Sequence, residues 1–201
     1  MPELNIGLLW RLAVCFALGS IPFAVMSMWG TGVDITKFGS GNPGFNNVLR
    51  YSKWRAAICL AGDAGKGFVA VWLSWHPPGD SILLGWIFGI FAVLGHSFSP
   101  MLGFRGGKGI ATVAGAMLRL YPAVLLPCVG IYILLRLVGG KFQWTERGFI
   151  ASFTATAVFA CLIAWREGFP TAWAPLAVLI FIAWRHKKNI QVLANAATQS
   201  P

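Results

Sequence analysis

Residues 38–50 hold the first group of side chains that could do chemistry, in the order FGSGNPGFNNVLR. Glycines let the backbone approach a ligand closely. Ser40, Asn42 and Asn47 supply neutral hydrogen-bond donors, and Arg50 supplies a planar fork that fits phosphate. We therefore predict an anion-binding loop, although the same residue types also form ordinary turns.

Residues 95–109 form a second glycine-rich group, GHSFSPMLGFRGGKG, with positive charges at Arg105 and Lys108. An apolar stretch follows, so we expect a helix to begin there, and the amides and dipole of a helix start attract anions. The segment differs from a nucleotide-binding P-loop, because Gly109 follows the lysine and Leu102 stands where that motif needs its first glycine. We expect a phosphate-binding loop rather than a nucleotide hydrolase.

Asp63 and Lys66 lie inside an apolar stretch, and their spacing of three puts them on one face of a helix. Ionisable side chains at membrane depth usually serve a function. We predict that this pair braces the phosphate-binding loops. The alternative is a neutralised pair near the membrane surface, with the lysine reaching towards water.

Residues 185–190, RHKKNI, stand where the last apolar stretch ends. His186 and Asn189 are three residues apart, and we expect them to turn inward together. The basic residues around them are typical of an anchor for anionic lipid headgroups.

Several familiar catalytic centres are missing from the sequence. The histidines at 76, 96 and 186 have no second ligand at metal-binding spacing, and the four cysteines lie in apolar stretches without paired spacing. No nucleophile–base pair is recognisable. We therefore expect no metal, no cofactor and no disulfide framework.

The composition indicates which elements must position these loops. The chain has 201 residues, 57% of them hydrophobic and 11% charged, with a mean hydropathy of +0.68. Soluble domains carry about 25% charged residues, and disordered chains are far less apolar. We predict one all-α membrane domain over residues 1–201, a polytopic bundle of about seven transmembrane helices with no nucleic-acid partner. The apolar stretches cover residues 12–33, 56–79, 81–104, 109–118, 120–135, 148–165 and 168–184.

Positive charge is in excess: 16 Lys and Arg stand against 6 Asp and Glu, for a net charge of +10. If the loop after the first helix is cytoplasmic, that side holds twelve basic residues and the other side holds two, Arg119 and Arg166. The positive-inside rule then puts the N-terminus outside and the C-terminus in the cytoplasm. The twelve are Lys37, Arg50, Lys53, Arg55, Arg105, Lys108, Arg136, Lys141, Arg147, Arg185, Lys187 and Lys188.

Five segments together resemble the bacterial acyl-phosphate:glycerol-3-phosphate acyltransferase family (PlsY). They follow the order of that family's motifs through nearly the whole chain, including its G-S-G-N-x-G-x-x-N-x-x-R loop and its terminal R-H-x-x-N-I. The matching segments are residues 39–50, 63–67, 95–109, 150–152 and 185–190.

The resemblance implies seven helices and an active site that faces the cytoplasm from the bacterial plasma (inner) membrane. It implies transfer of a fatty acyl group from acyl phosphate to the 1-hydroxyl of glycerol 3-phosphate, giving lysophosphatidate and phosphate, the first step of phospholipid synthesis. The expected partners are these two substrates and the lipid bilayer. The residues expected to be catalytic are Ser40, Asn42, Arg50, Lys108 and His186. Those expected to bind substrate phosphate are Gly41, Asn47, Arg105, Gly106, Gly107, Ser152 and Asn189.

The implied reaction suits positioning and charge stabilisation, because acyl phosphate already has a good leaving group. We expect Arg50, Lys108 and the loop amides to hold the two phosphates, and Lys108 or a loop amide to polarise the acyl carbonyl. A phosphate oxygen of the donor is expected to accept the hydroxyl proton. The rival hypothesis is that His186 accepts this proton as a general base. The alternative for His186 is that it binds phosphate or has a purely structural role.

The chain departs from the family pattern at Phe45, Asn46, Ser99 and Phe149, and Arg105 stands where the family usually has Lys. These departures leave open a different acyl preference or a catalytically silent paralogue. A transporter of phosphorylated small metabolites is the alternative from another class, because glycine breaks and cations also suit anion passage.

Overall fold

The chain was analysed as a computed structural model that describes residues 6–74 and 82–198. The described residues form helices and no strand, as the all-α prediction requires. His76 and the predicted span ends at residues 79 and 81 lie outside the described residues. The helices are α1 (Ile6–Ser20), α2 (Phe23–Ser27), α3 (Phe45–Tyr51), α4 (Lys53–Leu73), α5 (Ile82–Ser97), α6 (Ile110–Leu120), α7 (Pro122–Lys141), α8 (Arg147–Glu167), α9 (Phe169–Arg185) and α10 (Lys187–Thr198), with a 3₁₀ turn at Pro100–Leu102.

Five segments of the described chain are long and apolar enough to cross a membrane. Two further apolar helices, α6 and Thr171–Arg185 within α9, are shorter. At about 1.5 Å per residue, α6 covers roughly half of a 30 Å hydrocarbon core. Each predicted apolar stretch therefore contains a helix, and five have spanning length. The five are Ile6–Ser27, Lys53–Leu73, Ile82–Leu102, Pro122–Lys141 and Arg147–Glu167.

The first span begins earlier than predicted. The sequence suggested a start at Leu12 because Arg11 is charged, but α1 runs through Arg11. The Arg11 guanidinium donates to the carbonyl oxygen of Leu73 and lies 5.0 Å from the centre of the Phe88 ring. Partners on α4 and α5 therefore accommodate this charge within an apolar helix.

Two compact units make up the chain, and the first is Met1–Leu120. Within its described residues, α4 packs along α5 and α6, and α1 packs along α5. Gly67 and Gly115 let α4 and α6 approach closely, because a Cβ on either would overlap the carbonyl of Thr112 or Ala64 on the other helix. Small residues serve this purpose widely in membrane helix packing.

A break separates α1 from α2 at Ile21 and Pro22. Proline has no N–H, so carbonyl groups near the break lose their helical partners. The Ser99 hydroxyl donates to the Ser20 carbonyl oxygen at 2.6 Å, and Lys66 Nζ donates to the Ile21 carbonyl oxygen at 2.9 Å. The break is thereby tied to α4 and to the end of α5.

The second unit is Tyr121–Pro201. Within its described residues, α8 packs against both α7 and α9. The Tyr121 hydroxyl donates to Glu167 Oε2 at 2.9 Å, and Gly168, with φ of 84°, makes the turn into α9. Helix α10, which the sequence did not predict, follows α9. That one domain covers the whole chain stays a prediction.

Candidate active site

Asn47 fixes the first glycine-rich loop from within. Its buried side chain donates from Nδ2 to the carbonyl oxygens of Ile35 at 3.0 Å and Phe38 at 2.8 Å. Its Oδ1 accepts the backbone N–H of Ser40 at 3.1 Å. Both side-chain amide hydrogens are thus engaged with the backbone, and the side chain shapes the loop. That Asn47 binds phosphate stays a prediction.

Arg50 lies on a helix rather than in a loop, because α3 begins at Phe45 inside the segment predicted as one continuous loop. Gly39 has φ of 56°, and a Cβ there would lie 3.4 Å from Arg50 Nη1. The Arg50 side chain therefore lies over the glycine turn. Arg50 and Ser40 are exposed and Asn42 is half-buried, so these three side chains surround the turn at the surface of the unit.

Gly106 and Gly107 bind the end of α5. The N–H of Gly106 donates to the Ser97 carbonyl oxygen, and the N–H of Gly107 donates to the His96 carbonyl oxygen, each at 3.2 Å. A Cβ on either glycine would overlap His96. Both backbone donors are used in these bonds and both residues are buried. That the two residues bind phosphate stays a prediction.

The cations of the second loop flank these buried glycines. Arg105 is exposed, and Lys108 is half-buried beside Gly109, whose φ of 87° leads into α6. Helix α6 begins at Ile110, directly after the glycine cluster, as predicted. The two cationic side chains of this loop thus stand beside amides that are already bonded to the end of α5.

The two loops meet at Pro43 and Gly107. A Cβ on Gly107 would lie 2.9 Å from the Pro43 carbonyl oxygen, so the backbones are in contact. Both residues also line one small pocket, together with Asp63, Lys66 and His96. The structure thus brings together the two segments that the sequence singled out separately.

A buried ionic cluster lies behind the loops. Lys66 Nζ is 2.8 Å from Asp63 Oδ1, and His96 Nδ1 is 3.3 Å from the same oxygen. The sequence predicted the pair and its bracing role but missed His96, because 33 residues separate it from Asp63. The available signal was an ionisable residue inside the charge-free apolar stretch 81–104, which follows the stretch that contains Asp63.

In the second unit, His186 is buried between α9 and α10. Its Nδ1 lies 2.8 Å from the Ile182 carbonyl oxygen. A carbonyl only accepts, so Nδ1 carries a proton, and any proton exchange involves Nε2. The imidazole stacks on the Phe149 ring, with 5.0 Å between centroids.

Asn189 and Ser152 lie near the same end of α8. Asn189 Nδ2 donates to Glu146 Oε2 at 2.5 Å, and Glu146 is the N-cap of α8. Ser152 Oγ donates to the carbonyl oxygens of Gly148 at 2.9 Å and Phe149 at 3.1 Å. The three predicted residues of this unit therefore all contact the first turns of α8.

Among the described residues, no group of three or more His, Cys, Asp or Glu side chains is placed to hold a metal ion. The candidate site consists mainly of cationic, amide and hydroxyl side chains at glycine-rich turns.

A family profile described as glycerol-3-phosphate acyltransferase matches residues 9–196. The chain belongs to this family. The predicted family, its acyltransferase activity and its glycerol 3-phosphate chemistry are thereby confirmed.

Similar proteins in several bacteria bear the same name. The glycerol-3-phosphate acyltransferase of Azotobacter vinelandii is 40% identical over 190 residues, which cover 92% of this chain and 96% of that protein. The protein of Pseudomonas aeruginosa is 39% identical over 194 residues, with the same coverage. That of Burkholderia lata is 35% identical over 182 residues, covering 90% of this chain and 84% of its own.

Two crystal structures of PlsY (YgiH), an integral membrane glycerol 3-phosphate acyltransferase, share the fold. The glycerol 3-phosphate form superimposes with a TM-score of 0.81 at 30% identity, and the lysophosphatidic acid form with 0.79 at 31%. Each covers 94% of this chain and 93% of the crystallised chain. PlsY is described as an integral membrane protein, and this chain, with five spans of sufficient length among its described residues, is one as well, as predicted.

Proposed function

We propose that this protein transfers the acyl group of acyl phosphate to the 1-hydroxyl of glycerol 3-phosphate, releasing lysophosphatidate and inorganic phosphate. The observation that carries the proposal is the contact between Pro43 and Gly107. It brings the glycine turn beneath the Arg50 side chain, which we call the Arg50 turn, next to the loop that holds Lys108. The likeness to PlsY, whose two structures are described as glycerol 3-phosphate and lysophosphatidic acid forms, supports the acceptor and the product.

Two phosphate groups require several cations and little else. Arg50 offers a planar guanidinium that binds two phosphate oxygens at once, and Lys108 offers a point charge. Arg105 adds a third, exposed charge on the same loop. Ser40 and Asn42 supply neutral hydrogen bonds beside Arg50. The N–H of Gly41, between them, donates to the Phe38 carbonyl oxygen.

The reaction exchanges one acyl–oxygen bond for another. The 1-hydroxyl oxygen attacks the acyl carbon, the bond from that carbon to the bridging phosphate oxygen breaks, and inorganic phosphate leaves. Lys108 stabilises the negative charge that develops on the carbonyl oxygen, and preorganised charge of this kind is a large catalytic effect. The hydroxyl proton passes to a phosphate oxygen of the donor.

The second unit holds the proposed site residues His186, Asn189 and Ser152 in defined orientations. Because Nδ1 of His186 holds its proton on the Ile182 carbonyl oxygen, a general-base role of this residue would use Nε2. Asn189, aligned by Glu146, and Ser152 supply neutral polar contacts near the same end of α8.

The membrane arrangement that we propose is one domain over residues 1–201 with seven membrane-inserted helices, an external N-terminus and a cytoplasmic C-terminus. The bacterial plasma membrane holds it with the active site facing the cytoplasm. The twelve-to-two distribution of basic residues supports this orientation. The variants Lys37→Cys and Arg166→Cys, each made in a background without other cysteines, test this orientation. The two cysteines should react with a membrane-impermeant maleimide from opposite sides of oriented vesicles. Labelling of both from one side would contradict the proposal.

An assay of the purified protein tests the reaction. Glycerol 3-phosphate is supplied with one of three acyl donors, namely acyl phosphate, acyl-CoA or acylated acyl carrier protein, and the lysophosphatidate formed is measured. Product from acyl phosphate alone is expected. Product from another donor only would contradict the donor assignment, and uptake of glycerol 3-phosphate into vesicles without any product would indicate a transporter.

A further inference from the structure

Three ionisable side chains are buried together between α4 and α5. The side chains of Lys66 and Asp63 are 1% and 2% exposed, and that of His96 is 7% exposed. Burying charge is costly unless the charges are paired and hydrogen-bonded. A cluster of this kind inside a membrane-spanning segment therefore points to a task beyond packing.

Lys66 connects the cluster to the break after α1. Its Nζ binds the Ile21 carbonyl oxygen at 2.9 Å and lies 5.8 Å from the centre of the Phe23 ring. The ammonium thus pairs with Asp63 and is a second donor to the Ile21 carbonyl oxygen, which also accepts the Phe23 N–H at 3.1 Å. One end of the cluster is in this way fixed to the α1–α2 junction.

His96 connects the cluster to the phosphate-binding loop. Its carbonyl oxygen accepts the Gly107 N–H at 3.2 Å, and its imidazole is packed so closely on Gly107 that a Cβ there would overlap Nε2. The other ring nitrogen, Nδ1, faces Asp63 at 3.3 Å. Main chain and side chain of one residue therefore both contact the residue that precedes Lys108.

We propose that His96 is a positioning residue for the Lys108 loop, held in orientation by Asp63 and Lys66. The imidazole supports Gly107 against the Pro43 backbone, and so sets the distance between Lys108 and the Arg50 turn. The inference rests on the proposed function, because turnover of the acyl donor is its readout. Misplacement of a catalytic group by about 1 Å can cost a hundred-fold in rate.

Two variants of His96 separate positioning from folding. The asparagine of His96→Asn keeps a donor near the position of Nδ1 for Asp63 but lacks the ring atoms that contact Gly107; His96→Ala lacks both. We expect His96→Asn to melt close to the wild type and His96→Ala to melt lower. Both should lower kcat by about ten- to a hundred-fold, with smaller changes in KM.

Leu84→Ala is the matched control for destabilisation. Leu84 is buried on the same helix, twelve residues before His96 and so roughly 18 Å away. This variant should melt lower than the wild type and keep its kcat per folded molecule. Normal kcat in His96→Ala, or a loss in His96→Asn that merely follows the folded fraction, would overturn the inference.

A double-mutant cycle tests the contact itself. Gly107→Ala should lower kcat in the wild-type background and cost measurably less in the His96→Ala background, where the imidazole is gone. Strictly additive effects would overturn the inference. Wild-type protein that does not use acyl phosphate would instead overturn the proposed function, so the two failures are distinguishable.

Discussion

Phe149 stacks on His186, with ring centroids 5.0 Å apart and an interplanar angle of 28°. Phe149 is one of the positions at which the sequence departs from the pattern of the family that it resembles. The aromatic ring is therefore the surface on which the imidazole of His186 packs.

Replacing Phe149 with Ser should loosen the imidazole. Aromatic stacking contributes about 0.5–1.5 kcal/mol, so kcat should fall about two- to tenfold if that energy is spent on orienting His186. Steady-state kinetics measure the change. Phe149→Tyr keeps the ring and should behave like the wild type; equal losses in both variants would contradict the stacking role.

Arg50 and Lys108 should respond differently to substitution. Arg50→Lys keeps the charge and loses the fork, so kcat/KM for glycerol 3-phosphate should fall about ten- to a hundred-fold. Lys108→Ala should lower kcat about a hundred-fold or more, because it removes charge from the developing oxyanion. Rates close to the wild type in Lys108→Ala would refute its catalytic assignment.

Asn47 should matter for loop stability rather than for phosphate contact. Asn47→Ala leaves the Ile35 and Phe38 carbonyl oxygens without their side-chain donor, which costs about 1–3 kcal/mol of unfolding free energy. Thermal unfolding in detergent measures the shift. Asn46→Ala, an exposed neighbour on the same helix, is the control and should melt like the wild type.

Glu146 should align Asn189 at some conformational cost. Its φ of 56° is unfavourable for a residue with a side chain. Glu146→Gly should relieve that strain and keep the melting temperature, yet lower kcat several-fold because Asn189 loses its acceptor. Glu146→Gln keeps an acceptor oxygen and should stay near the wild-type rate; a full loss in Glu146→Gln would contradict the alignment role.

The pH–rate profile should discriminate between the two proton acceptors. If a donor phosphate oxygen takes the hydroxyl proton, His186→Ala lowers the rate at every pH and leaves the shape of the profile unchanged. Loss of one limb of the profile in His186→Ala would instead assign the general-base role to Nε2.

The apolar helices were predictable because about 20 apolar residues have few alternatives to a spanning helix. Arg11 shows the limit of that reasoning: its partners on α4 and α5 lie far away in the sequence, so the charge-free stretch counted from Leu12 gave a later start than that of α1. Helix α3 was missed for a local reason, since seven residues amid glycine and asparagine give too little periodicity to recognise.

The sequence indicated candidate site residues but not the residues that contact them, and the roles of those candidates stay predictions. Glycine at 106 and 107 indicated close approach, and the sequence could not say that His96 is a group that approaches them. The contact between Asp63 and His96 joins two helices, so it cannot be predicted from the spacing of residues along the chain.

The glycines and the cations of the second loop answer to separate constraints. Gly106 and Gly107 are fixed by the end of α5, whereas Arg105 is exposed and makes no such demand on the fold. Selection can therefore exchange Lys for Arg at position 105, or retune affinity there, without rebuilding the scaffold beneath it. An engineer seeking a different phosphorylated acceptor has the same freedom, and should vary the exposed cation while leaving the paired glycines untouched.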